Sequence, residues 1–104
     1  ESIRQLRQSA ESGEPAANLA LGDAYAAGIG VPRQSDKEAY RSYKVAAAAG
    51  EPDGQYRLGL CYERGKGCMG DASRAMRLYD AAARAGHLAA AARAGAMQTG
   101  GEEY

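Results

Sequence analysis

The chain has 104 residues, enough for one small domain, and its 13 basic and 13 acidic residues give a formal net charge of zero. This balance argues against a general nucleic-acid or membrane-surface binder, because such proteins depend on excess positive charge. No apolar run approaches the roughly 20 residues that a membrane helix needs, so we expect no membrane insertion.

A ten-residue pattern occurs twice and indicates an internal repeat. The segment Leu21–Gly30 returns as Leu58–Gly67, a shift of 37 residues (58 − 21). Repeats of this length are usually single supersecondary units that stack into a linear array with an extended binding surface. The register predicts one array over residues 1–104: the second helix of a partial repeat (1–13), repeats at 14–50 and 51–86, and the first helix of a partial repeat with a tail (87–104).

The first segment of each repeat reads as an α-helix. In the first complete repeat, Ala17, Leu21 and Tyr25 lie four residues apart on one face. Pro15 suits the first helical position, and Gly28 suits the left-handed residue that ends a helix. The second repeat has the same pattern, so we predict the same helix there.

The second segment of each repeat also reads as a helix. Ser35 followed by Glu38 forms a capping box, and Asp71 alone occupies the capping position in the next repeat. Gly50 and Gly86 end these helices. The chain should therefore alternate antiparallel first and second helices.

Glycines and tyrosines recur in register inside these helices. Gly22, Gly59 and Gly95 each cost about 1 kcal/mol relative to alanine in a helix. We expect them to allow close backbone contact with the alanine-rich second helix. The seven tyrosines, with no Phe or Trp, should fill gaps between repeats with their hydroxyls in water, which makes stacking on nucleic-acid bases less favoured.

The pattern Leu-Gly-x-x-Tyr-x-x-Gly-x-Gly, followed by x-Ala-x-x-x-Tyr-x-x-Ala-Ala-x-x-Gly, resembles the Sel-one-like repeat, a relative of the tetratricopeptide repeat. The residues on the signature positions are Leu21, Gly22, Tyr25, Gly28, Gly30, Val31, Ala39, Tyr43, Ala46, Ala47 and Gly50, then Leu58, Gly59, Tyr62, Gly65, Gly67, Ala75, Tyr79 and Gly86. Ser42 and Leu78 replace the family's usual Trp. The resemblance implies an all-α, right-handed superhelix (solenoid) of antiparallel helix-turn-helix repeats, whose concave face binds other proteins.

The resemblance also implies a non-enzymatic scaffold or adaptor that binds a peptide or protein segment, in a larger bacterial or bacterial-like protein. Family members occur in several compartments, so the localisation stays open between cytoplasm, periplasm and secretion. Polar residues beside the Leu-Tyr stripe are the candidate contacts. They are Asn18, Asp23, Gln55, Arg57, Arg64 and Arg93. The alternative is that they are ordinary exposed residues, which any fold of this kind needs.

Charge is unevenly distributed along the chain. Between residues 54 and 93, seven basic residues outnumber three acidic ones, a local excess of +4. This excess is compatible with an acidic partner segment, although such biases are more often solvated helix faces. A second hypothesis is end-to-end self-association, because incomplete repeats at both ends would expose apolar faces.

The two cysteines and the single histidine do not form a recognisable catalytic or metal-binding motif. Cys61 and Cys68 could form a disulfide if their α-carbons come within about 7 Å, but they stand where the first repeat has apolar residues, which favours buried free thiols. Cysteine-rich bacterial members of the family bind or hydrolyse β-lactams, but their cysteines recur in every unit, unlike those here. His87 has no partners in the sequence for a metal site or a triad. We therefore predict no catalytic, cofactor or metal site.

Overall fold

The computed structural model describes the backbone of residues 3–101 and the side chains of residues 3–98. The described part contains helices and no strand, which confirms the all-α prediction. The helices are α1 (Ile3–Glu11), α2 (Pro15–Ala27), α3 (Asp36–Ala48), α4 (Pro52–Arg64), α5 (Ala72–Arg84) and α6 (Leu88–Gly101). The last residues of the predicted tail, 102–104, lie outside the described residues.

The first helices of the two complete repeats begin and end where the sequence predicts. Pro15 and Pro52 are the first residues of α2 and α4. Gly28 and Gly65 follow their last residues with φ of +73° and +67°, the left-handed conformation in which glycine is favoured. Local sequence therefore sets both ends of these helices.

The second helices are capped by side chains. Ser35 Oγ accepts a hydrogen bond from the backbone N–H of Glu38 at 3.1 Å, and Asp71 Oδ1 accepts one from the N–H of Arg74 at the same distance. The capping box is only half formed, because the Glu38 carboxylate pairs with Arg41 at 3.1 Å.

Each helix packs on the next along the chain, and the molecule measures 49 × 26 × 17 Å. This elongated stack confirms the solenoid. Its core is built from alanines and tyrosines, with Tyr79 fully buried between α4 and α5.

Gly22 and Gly59 do allow close contacts, but the contacting group differs from the prediction. At Gly95 the prediction of a close contact is wrong, because a Cβ built there has no described atom within 4 Å. A Cβ built on Gly22 would lie 2.5 Å from Cε1 of Tyr43, and one on Gly59 would lie 2.6 Å from Cε1 of Tyr79. The prediction of an alanine-lined backbone contact is therefore wrong at these positions, because a tyrosine ring fills the space. Alanine backbone comes close instead at Gly54, between α3 and α4.

The tyrosines among the described residues pack in two ways. Tyr43 and Tyr79 lie within their repeats, so the prediction that tyrosines fill gaps between repeats fails for them. Tyr62 does bridge two repeats: its ring meets Tyr40 of α3 edge-on at 5.7 Å, and the two hydroxyls lie 2.9 Å apart.

The glycine-containing loop after α4, in the second complete repeat, contacts the first complete repeat. Gly67 has φ +76°, and a Cβ built on it would lie 2.6 Å from the carbonyl carbon of Asp36 and 3.0 Å from the N of Lys37. The loop after α4 thus rests on the start of α3. Gly30, its counterpart in the first repeat, has φ +77° and no described atom within 4 Å of such a Cβ.

Candidate functional site

The first helices α2, α4 and α6 form one side of the array, here called the first-helix surface. Ion pairs and hydrogen bonds join each first helix to the next, at Asp23–Arg57, Asp53–His87 and Glu63–Arg93.

Asp23 and Arg57, both predicted contact residues, meet each other. Tyr43 donates its hydroxyl hydrogen to Asp23 Oδ1 at 2.5 Å, and Arg57 Nε lies 3.4 Å from the same oxygen. Burial, and then this hydrogen bond, raise the pKa of Tyr43. Asp23 and Arg57 each keep nearly half of their side chains exposed, so they link two repeats and still face solvent.

The same kind of link recurs one repeat later with a different acid. Tyr79 donates to Glu63 Oε1 at 2.6 Å, and the guanidinium of Arg93 donates to the same carboxylate. Burial alone would raise the pKa of Glu63, but the hydrogen bonds from Tyr79 and Arg93 outweigh it and lower the pKa. Sequence reasoning missed Glu63, because it stands at the register position of Ala26, one turn after that of Asp23.

Asn18 does not project from the first-helix surface. Its side chain is buried, and its Nδ2 donates to the carbonyls of Ala10 at 3.3 Å and Glu14 at 3.2 Å, which ties α1 to the start of α2. Gln55 holds the same register position and is half-buried. Its Oε1 has no hydrogen-bond partner among the described residues.

A crevice of about 170 Å³ opens between α2 and α4, near their C-terminal ends, and the N-terminal half of α3 also lines it. Four small or apolar side chains and five polar ones surround it. The lining residues are Ala26, Ala39, Leu60 and Cys61, with Asp36, Tyr43, Arg57, Arg64 and Lys66. Arg64, a predicted contact residue, lies at its rim and is exposed. The crevice lies beside the Tyr43–Asp23–Arg57 link, so the structure brings three predicted contact residues together here.

Both cysteines are free thiols in the structure. The Cys68 thiol donates to the carbonyl oxygen of Cys61 at 3.6 Å. Burial raises the pKa of Cys61 to about 11, so its thiol stays protonated, and only the thiolate is a strong nucleophile.

His87 has a structural position at the start of α6. Its Nδ1 accepts from the N–H of Ala90 at 3.1 Å, its Nε2 lies 2.7 Å from Asp53 Oδ1, and its ring stacks on Tyr56 at 4.7 Å. Both ring nitrogens are engaged. Among residues 3–98, no three His, Cys, Asp or Glu side chains are placed to hold a metal ion. None of the helices in the described range is long and apolar enough to cross a membrane.

The sequence matches the Sel1 repeat family over residues 15–51 and 52–87. Two solved structures are similar to it. The chain is 42% identical to a Sel1 repeat protein from Oxalobacter formigenes, with a TM-score of 0.85, over 88% of this chain and 68% of that one. It is 35% identical to c5321, a protective antigen of uropathogenic Escherichia coli strains with an SLR fold, with a TM-score of 0.91, over 97% of this chain and 21% of that one.

Two curated relatives are more distant. The chain is 28% identical to DAP3-binding cell death enhancer 1 of Rattus norvegicus and 29% identical to that of Mus musculus, each over 85 residues. These alignments cover 82% of this chain and 16% of each relative, so the chain spans about a sixth of their length.

Proposed function

The chain belongs to the Sel1 repeat family, whose repeats generally mediate protein–protein interaction, and from this premise we propose that it is a scaffold or adaptor module. In this proposal the first-helix surface holds a peptide or protein segment of a partner. One of its relatives carries a name that describes binding, DAP3-binding cell death enhancer 1.

The observation that carries the proposal is the open crevice between α2 and α4. The two complete repeats carry other depressions, such as one lined by Tyr40, Tyr62 and Arg74, but Arg57 and Arg64, two of the proposed contacts, line this crevice, and no described side chain fills it. Asp23, Gln55, Arg57, Arg64 and Arg93 remain the proposed contacts on this surface. Asn18 is left out because its amide is used between α1 and α2.

The proposed role involves no catalysis. The Sel1 repeat fold is typically a non-catalytic interaction module. Cys61 is the thiol in the wall of the crevice, and its raised pKa keeps it protonated near neutral pH. We therefore do not propose β-lactam chemistry for this chain.

The test starts from a random displayed peptide library, selected on the immobilised chain. The best-enriched peptide is titrated into the ¹⁵N-labelled chain, and amide shifts are mapped. We expect shifts in α2, α4 and α6. Arg64→Ala should weaken binding, whereas Arg77→Ala should not, because Arg77 is an exposed arginine on α5, outside the crevice. Shifts confined to α5, or no enriched peptide, would refute the proposal.

End-to-end self-association remains the alternative prediction. Sedimentation equilibrium of the peptide-free chain measures it directly. A monomer mass across concentrations would remove it, and a mass that rises with concentration would favour it over peptide binding.

A further inference from the structure

We propose that the crevice between α2 and α4 receives an acidic side chain of the bound segment, with Arg64 and Lys66 as its cationic contacts. This inference rests on the function proposed above and specifies the partner's chemistry. The partner segment would carry Asp or Glu next to a small apolar residue.

The size of the crevice suits a side chain better than a cofactor. Its volume is about 170 Å³, whereas sites for small molecules and cofactors are typically about 300–1,000 Å³. Leu60 and the protonated Cys61 form an apolar, uncharged part of its wall. One apolar group can therefore be buried there while a neighbouring charged group stays at the rim.

The cations at the rim exceed the anions available to them. Arg57 is already paired with Asp23. Arg64 and Lys66 make no ion pair or side-chain hydrogen bond with any residue in the described range. Asp36 is the acid in the lining, and its Oδ1 accepts from Gln34 Nε2 at 2.7 Å. Two cations thus share one carboxylate in the lining, which leaves a surplus positive charge for an added carboxylate.

The next pair of first helices shows that the fold does not need this surplus. Between α4 and α6, Glu63 occupies the register position of Ala26 and neutralises Arg93, the counterpart of Arg57. Gly100 stands at the register position of Arg64. The link between α4 and α6 is thus made with balanced charges, so the surplus at Arg64 and Lys66 is a local feature of the crevice.

The backbone holds Lys66 in place before any ligand arrives. Its N–H donates to the carbonyl of Cys61 at 3.0 Å, and the glycines on either side take left-handed conformations. Gly67 also rests on the start of α3. A backbone that is already fixed loses less conformational entropy on binding.

The experiment measures charge coupling between the chain and the best-enriched library peptide. Each Asp or Glu of that peptide is replaced in turn by Asn or Gln, and the Kd is measured with the parent chain and with the double variant Arg64→Gln, Lys66→Gln. Arg77→Gln is the control, because Arg77 is exposed but lies outside the crevice. Circular dichroism checks that each variant is folded.

One acidic position of the peptide should account for the binding. Its amide version should bind the parent about tenfold or more weakly, as for a hydrogen bond between charged groups. The double variant should show a similar loss with the original peptide and little further loss with the amide version, which is the signature of direct coupling. The Arg77→Gln control should retain the parent's affinity.

Two results would overturn the inference in different ways. Peptides that shift amides on the first-helix surface but lack a coupled acid would refute the acidic side chain and leave the proposed function intact. Peptides that bind away from the first-helix surface, or a library without binders, would refute both.

Discussion

Replacing Gly67 with alanine should destabilise the chain more than the same replacement at Gly30. The two glycines occupy equivalent positions in their loops and have nearly equal φ, +76° and +77°. Alanine therefore suffers the same backbone strain at both. The difference is that Gly67 rests on the backbone of the preceding repeat, at Asp36 and Lys37.

The structure gives the size of the difference. Left-handed backbone costs a non-glycine residue about 1–2 kcal/mol, which applies to both variants. At position 67 the new Cβ would lie 2.6 Å from the carbonyl carbon of Asp36, about 1 Å inside the usual carbon–carbon separation. Overpacking of this kind costs about 1–3 kcal/mol more. We expect Gly67→Ala to lose about 2–5 kcal/mol of unfolding free energy.

Urea unfolding followed by far-ultraviolet circular dichroism compares the two variants with the parent. Thermal melting should separate them by about 4 °C or more, since 1 kcal/mol shifts the Tm of a domain of this size by about 4–8 °C. Equal losses in both variants would mean that the loop contact contributes nothing to the joining of the repeats.

The remaining predictions concern packing, capping and pH. Gly59→Ala should lower the free energy of unfolding by about 1–3 kcal/mol through overpacking against a tyrosine ring. Gly95→Ala, at the same register position in α6, should leave the free energy of unfolding unchanged or raise it by up to about 1 kcal/mol. Equal urea midpoints for the two variants would contradict this prediction. Ser35→Ala should cost about 1 kcal/mol, because the N-cap hydrogen bond of α3 is lost; Ser73→Ala, exposed on α5, is the control, and a similar loss there would undo the argument. Glu63→Gln should destabilise the chain at neutral pH. Because the pKa of Glu63 is lowered on folding, its stabilisation is fully present above its ordinary pKa of 4.5 and is lost as the pH falls through the lower folded value. The deficit of Glu63→Gln should therefore shrink in acid, and a deficit that does not vary between pH 7 and pH 3 would exclude this role.

The helices could be predicted from local sequence because their ends are locally encoded. Pro15, Gly28, Ser35 and Asp71 act through their own backbone geometry or through a hydrogen bond three residues away. The period of the repeat then determined which helices stack. None of these steps needs knowledge of a distant contact.

The contacts across the helices could not be read in the same way. The sequence predicts that Gly22 and Gly59 lie at close contacts between helices. It does not show which group fills each space, because a tyrosine ring and an alanine backbone are both compatible with the same pattern. Asn18 was predicted to be a surface residue because it is polar and lies beside the Leu-Tyr stripe. Its burial depends on how α1 ends beside α2. Three-dimensional packing decides such cases.

The Tyr–acid–Arg links constrain how this gene segment can change by duplication. The acid lies on Asp23 in the first complete repeat but one turn later, on Glu63, in the second, whereas the arginine always comes from the same position of the following repeat. If the second repeat were duplicated, Glu63 of one copy would meet the arginine that the next copy carries at the position of Arg57. A first repeat inserted after the second would present Ala20 where the arginine is required. Of the two complete repeats, the second is therefore the one that can be duplicated with the Tyr–acid–Arg link kept in every copy.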